Sequence, residues 1–154
     1  MKGALTGRAE DYLRAIFEIV QRKGYARIRD IAMELSVQPP SVVEMMKKLG
    51  QMGFVAYEKY GAVTLTSEGE EMARAVAKRH ETFKKLLEII LVPKEIALKD
   101  SHLLEHRLHP KTVLQFTRFV EFVSSAPEHP KFVGRWLDQF KKYCEKENQQ
   151  HVRA

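Results

Sequence analysis

A mainly α fold is predicted, with a winged helix-turn-helix at the N-terminus and an all-helical second half. Three observations predict it. Apolar residues recur at spacings of three and four along most of the chain, the period of helices with one buried face. Two short helical stretches near the N-terminus are joined by a tight turn of about three to four residues, the signature of a helix-turn-helix. Directly after them the period changes at "FVAYEKYGAVTLT", which is rich in β-branched and aromatic residues around Gly61.

From Arg8 to about Arg22, Tyr12, Leu13, Ile16, Phe17 and Val20 make one stripe, and Gly24 stops the helix. "RIRDIAMELSVQ" carries Ile28, Ile31, Ala32 and Leu35, a short second helix. "QPPSVVEMMKKLGQMGF" opens on prolines and a serine, as helix starts do, and runs through Val42, Val43, Met46 and Leu49 to Gly50 and Gly53. Phe54–Glu58 and Ala62–Thr66 read as a two-stranded hairpin, the wing. "TSEGEE" begins a long helix from about Ser67 to Ile90 whose stripe Met72, Val76, Phe83, Leu87, Ile90 has one gap, filled by His80. Pro93 starts a further helix ending near Leu108, and Pro110 starts another carrying Val113, Leu114, Phe116, Val120 and Val123. "SSAPEHP" is a linker, and "KFVGRWLDQFKKYCEKE" is a last amphipathic helix before a polar tail. The composition shift near Ser67 places expected boundaries at 1–66 for the winged helix, 67–126 for the helical domain and 127–154 for the C-terminal helix and tail.

The 154 residues are 44% hydrophobic and 30% charged, enough apolar material for a real core. A net charge of +6 with a pI near 9.4 is compatible with a nucleic-acid partner and insufficient to establish one. Cys144 is the sole cysteine, which excludes an intramolecular disulfide and fits a reducing, cytoplasmic setting. No apolar run approaches the roughly 18–20 residues of a membrane span, and the N-terminus lacks an apolar signal core.

If the third helix enters a major groove, residues near its start reach base edges. Gln38, Pro40, Ser41 and Glu44 are the candidates there, with Lys47 and Lys48 toward the backbone. Arg27, Arg29 and Lys59 in the wing are placed to hold phosphates. Glu44 repels phosphate unless it accepts from a cytosine. The other reading of this face is a solvated surface used for protein contact.

"DSHLLEHRLHP" spells H-x-x-E-H through His102, Glu105 and His106. On a helix these fall in one narrow sector, and two imidazoles with a carboxylate suit a divalent metal. Ile96, Leu103, Leu104 and Leu108 are expected to form the apolar side of that helix, with the triplet on the neighbouring flank. A solvated polar face has the same letters. His80 shifts the balance, because a histidine in an apolar stripe needs a partner. Asp11, at the edge of the first stripe, is either an i,i+3 partner of Arg14 or a further ligand.

Taken together, "EDYLRAIFEI", "KGYARIRDIAMELSVQPPSVVEMMKKL", "YEKYGAVTLTSEG", "RHETFKKLLEII" and "HLLEHRL" resemble the diphtheria toxin repressor family of metal-dependent regulators, in family order over about Glu10 to Leu108. Within it the chain looks like the manganese transport regulator branch. The resemblance implies a homodimeric repressor binding a palindromic operator, controlling metal-uptake genes, with a metal site of Asp11, His80, His102, Glu105 and His106. The implied ion is Mn(II) or Fe(II), with Zn(II) or Co(II) also suited to the donors. Asp11, Glu105 and His106 would form the principal site, and His80 and His102 further ligands or a weaker second site. Arg14 stands where the manganese branch has a glutamate bridging two ions, and His102 where the branches have Glu or Cys. The SH3-like domain of the iron-sensing branch is expected to be absent, leaving Phe132–Cys144 to extend a dimer interface.

Two other functions compete. In a zinc peptidase Glu105 would be the base and His102 and His106 ligands, but such a site needs a further downstream glutamate, an open water position and a substrate cleft. A winged-helix regulator of an organic ligand would make the histidines structural. The sequence favours the metal-dependent regulator, so neither catalysis nor a small organic substrate is expected.

Overall fold

The computed structural model describes residues 5–59, 61–125 and 131–153, with the side chains of 132 and 150–153 outside the description. The chain divides into two compact units, Met1–Lys78 and Arg79–Ala154.

In the first unit, α1 (Gly7–Lys23) begins where Thr6 Oγ1 accepts from the Ala9 amide at 3.2 Å. It ends at Gly24, whose φ of 84° supplies the left-handed turn that a side chain would strain. α2 (Ile28–Glu34) is short, and its first turn is tied by Asp30 Oδ2 accepting from the Arg27 amide at 3.0 Å. α3 (Pro39–Gln51) starts on two prolines, whose missing N–H groups would have no partner in a first turn anyway. The α2–α3 turn places Ser36 at φ 52°.

β1 (Val55–Tyr57) and β2 (Val63–Leu65) pair antiparallel, with Ala56 opposite Thr64. The strands are shorter than the hairpin expected from composition, because the ladder holds only three residue pairs. Phe54 and Thr66 still close its foot through the Thr66 amide to the Phe54 carbonyl at 3.0 Å. Ala26, before α2, bridges Val63. Tyr12, Leu13, Ile16, Ile31, Val42, Met46, Leu49 and Val63 are all buried in one cluster, so the stripes read from the sequence meet in a single core. Each such aliphatic side chain contributes about 1.5–3 kcal/mol by leaving water.

α4 (Ser67–Ile89) begins in the first unit and ends in the second. Its start is locked to the wing. Thr66 Oγ1 donates to the Gly53 carbonyl at 2.7 Å and accepts from the Gly69 amide at 3.0 Å. A Cβ on Gly69 would lie 1.8 Å from the Phe54 carbonyl oxygen, so only glycine permits that approach.

The second unit adds α5 (Lys94–Arg107), α6 (Pro110–Ser124) and α7 (Lys131–Arg153). The expected linker falls mostly on 126–130, outside the described residues. The Phe83 and Phe116 rings pack edge-on at 5.9 Å. The expected apolar side of α5 is overturned at two of its four residues, Leu104 and Leu108 being half-buried. The residues α5 buries are Ala97, Ser101 and Glu105, while Ile96 and Leu103 are 49% and 61% exposed. Ala97 and Ser101 are small enough for close packing one turn apart, and the buried row they begin ends on the carboxylate.

Candidate metal centre and nucleic-acid interface

α5 places His102, Glu105 and His106 at the i, i+3, i+4 spacing, and α4 brings His80 to the same carboxylate. The Glu105 side chain is 0% exposed, a burial that a carboxylate tolerates only when partnered. Three imidazoles face it. His80 Nδ1 is 3.0 Å from Oε2, while His102 Nδ1 and His106 Nε2 are each 3.3 Å from Oε1. The His102 and His106 rings stand nearly perpendicular, centroids 5.1 Å apart.

The spacing fits a metal. Donors about 2.1 Å from one ion stand roughly 3.0 Å apart at right angles and about 3.4 Å apart at the tetrahedral angle. Contacts of 3.3 Å from Oε1 to two ring nitrogens match the edges that such a coordination polyhedron would have. Two borderline nitrogens and one hard oxygen suit Mn(II), Fe(II), Co(II) or Zn(II). His102 is the outermost member, its side chain 44% exposed against 17% for His106.

Asp11 lies on α1 in the first unit, 16% exposed, with Arg14 Nη2 4.0 Å from Oδ1. Arg14 also reaches Glu18 Oε1 at 3.3 Å, so a guanidinium sits beside Asp11 on the helix surface.

On α3 the candidate base-reading residues Gln38, Pro40 and Glu44 are exposed and Ser41 half-buried, with Lys47 and Lys48 exposed further along. Glu44 is held by Lys48 at 3.6 Å, which offsets part of its charge. Arg27, Arg29 and Lys59 are exposed as well. Two features escaped sequence reasoning. Arg8, at the start of α1, lines a surface cleft of about 160 Å³ with Ser41, Glu44, Met45 and Lys48. Tyr25 carries a cation on its ring twice over, Lys23 Nζ at 4.7 Å and Arg27 Cζ at 5.2 Å from the centroid. The cleft depends on tertiary placement and has no signal in local spacing, whereas Lys23 and Arg27 each stand two residues from Tyr25 in the sequence.

A winged helix-turn-helix, joined in one chain to a buried carboxylate ringed by imidazoles, defines a class: a DNA-binding regulator that takes a divalent metal ion. Residues 4–63 match the family model for the iron dependent repressor N-terminal DNA binding domain, and residues 66–132 match that for its metal binding and dimerisation domain. The chain belongs to the iron dependent repressor family and is a metal-dependent transcriptional repressor. It is 36% identical to the HTH-type transcriptional regulator MntR of Lysinibacillus sphaericus over 84% of this chain and 91% of that one. It is also 36% identical to MntR of Bacillus subtilis, over 76% and 82%. Among solved structures, T. acidophilum IdeR aligns with a TM-score of 0.64 at 27% identity, covering 76% of this chain and 55% of that one. A manganese-dependent transcriptional repressor in complex with manganese aligns at 0.66 and 26%, covering 74% and 53%. The chain thus spans about half the length of those two structures.

Proposed function

We propose that this repressor uses one Mn(II) or Fe(II) ion per subunit as corepressor, with Zn(II) and Co(II) able to occupy the same donors. The observation that carries the reading is Glu105, fully buried with three imidazole nitrogens within 3.0–3.3 Å. In this reading His102, Glu105 and His106 bind the ion from α5, Asp11 is the ligand supplied by the DNA-binding unit, and His80 completes the cluster. When bound, the ion would supply a positive centre that the carboxylates of Asp11 and Glu105 would hold. Arg14 keeps a fixed cation next to Asp11, which opposes a second divalent ion there. The α3 residues Gln38, Pro40, Ser41, Glu44, Lys47 and Lys48 face base edges and backbone, while Arg27, Arg29 and Lys59 hold phosphates.

A homodimer presents two α3 helices to a palindromic operator whose half-sites lie about 34–36 Å apart. Tying Asp11 to the α5 ligands sets that spacing, so metal and DNA promote each other's binding, typically by about 1–3 kcal/mol. The regulated genes would be those of metal uptake, and the setting cytoplasmic. No helix among the described residues is long and apolar enough to cross a membrane. Catalysis is not part of the reading, since a peptidase base must reach water and Glu105 is wholly enclosed.

The test is fluorescence anisotropy of labelled DNA from the region upstream of the chain's own gene, with chelator-stripped protein at fixed salt. Tight binding only after Mn(II) or Fe(II) is added is the expected outcome. Equal affinity with and without metal would reduce the cluster to a structural role. Full metal stimulation in Asp11→Ala would remove the bridge between units.

A further inference from the structure

We infer that Arg8, at the start of α1, is a further DNA-contacting residue whose guanidinium holds a backbone phosphate beside the bases read from α3; this rests on the placement of α3 proposed above. Arg8 lines a surface cleft of about 160 Å³ together with Ser41, Glu44, Met45 and Lys48. Those four stand at i, i+3, i+4 and i+7 on α3, so they form one face over two helical turns. Gln38 lies three residues before Ser41 and continues that face at its base-reading end. Arg8 thus flanks the reading face from a different helix.

A cation in the first turn of a helix opposes the macrodipole, so Arg8 stands where the stability of α1 disfavours it. Residues that break a local rule in this way tend to serve function. Arg14, Arg22 and Arg74 each hold a carboxylate, whereas the exposed Arg8 guanidinium has no ion-pair partner among the described residues. Lys48 already lies 3.6 Å from Glu44, and with Arg8 the cleft carries two cations against one carboxylate. That surplus suits an anion. A helix in the major groove has a phosphate wall on each side, and a planar guanidinium binds phosphate oxygens through two N–H donors at once.

The experiment is fluorescence anisotropy of the full chain with Mn(II) on two labelled duplexes, the region upstream of its own gene and a random sequence of equal length. Arg8→Ala should weaken both roughly tenfold and leave their affinity ratio unchanged. The dependence of log affinity on log salt should become shallower by about 0.9, the share of one phosphate. Arg8→Lys should keep the slope and recover part of the loss, since an ammonium is a single point charge. Arg22→Ala, which removes a cation paired with Glu34 at the far end of α1, should leave the slope as it was. Thermal unfolding of Arg8→Ala should not come earlier than that of wild type, because the dipole is relieved. An unchanged slope in Arg8→Ala would overturn the phosphate contact, and so would a lowered affinity ratio, which would make Arg8 a reader of bases. If Gln38→Ala combined with Ser41→Ala left the ratio intact, the placement of α3 would fall, and with it the position given to Arg8. A ratio lost in that double variant, beside an unchanged slope in Arg8→Ala, would sink the Arg8 contact alone.

Discussion

The two units handle their apolar residues differently. In the first, the large apolar side chains close on one another, and among its described residues only Tyr25 and Met33 stand out as large hydrophobics with substantial exposure, at 42% and 74%. The second buries Phe83, Ala97, Val120 and Val133, yet leaves Leu114, Phe119 and Trp136 exposed by 49%, 38% and 55%. It also encloses His80, Thr82, Ser101 and Glu105, polar groups that a self-sufficient core avoids. The first unit is a finished hydrophobic core. The second is not, and under the proposed function an ion at the polar cluster and a second copy on the apolar surface would complete it.

The comparison breaks most sharply at Glu105. Glu105→Gln removes the buried carboxylate charge that faces the three imidazoles, and metal affinity should fall by more than about 100-fold, near 2.7 kcal/mol. Thermal unfolding of the first unit should not move. Calorimetry together with metal-free circular dichroism would show it, and unchanged affinity would leave the second unit without its ion.

Gly69→Ala is the converse. The new methyl would overlap the Phe54 carbonyl, and the first unit should lose about 1–3 kcal/mol while metal affinity is kept. Denaturant titration beside metal titration separates the two effects. Loss of both together would mean that the units do not act independently.

A smaller effect is expected on the apolar surface. Leu114→Asp combined with Phe119→Asp should change folding stability by no more than about 1 kcal/mol, since both side chains are already partly in water. Dimer dissociation, read by sedimentation velocity, should rise about tenfold or more, roughly 1.4 kcal/mol. Unaltered sedimentation would show that this surface serves something other than a second copy.

The smallest is a pH effect in the first unit. The hydrogen bond from Lys23, 2.7 Å from Asp30 Oδ1, holds the Asp30 carboxyl below its ordinary value of 3.8, aided by the Arg27 amide. A depressed folded-state value means that this stabilisation is complete above pH 3.8 and is lost as pH falls through the lowered value. Exposure and screening keep it under about 1 kcal/mol. Unfolding of wild type and Asp30→Asn in parallel should differ at pH 5 and converge in strong acid.

Much of the first unit was legible because its signals are local. A three-four stripe, Gly24 as a stop, and prolines ahead of α3 each act within one turn of helix. The triplet on α5 was legible for the same reason. The face of α5 was not. Its leucines and Ile96 suggested an apolar side turned inward, whereas the packed row runs through Ala97, Ser101 and Glu105. Periodicity shows which residues share a face, but a chain that also packs against a copy of itself has two apolar destinations. Likewise, His80 could be recognised as a histidine in need of a partner, but only the packed structure pairs it with Oε2 of Glu105.

Trp136 is the chain's sole tryptophan, and it lies half in solvent on α7. The fluorophores of the first unit are tyrosines, so indole emission comes from the second unit alone. A melt followed by tryptophan fluorescence would be blind to the DNA-reading head, and the same signal on dilution would track whatever covers or uncovers α7. The chain thus carries a built-in optical label on one of its two halves.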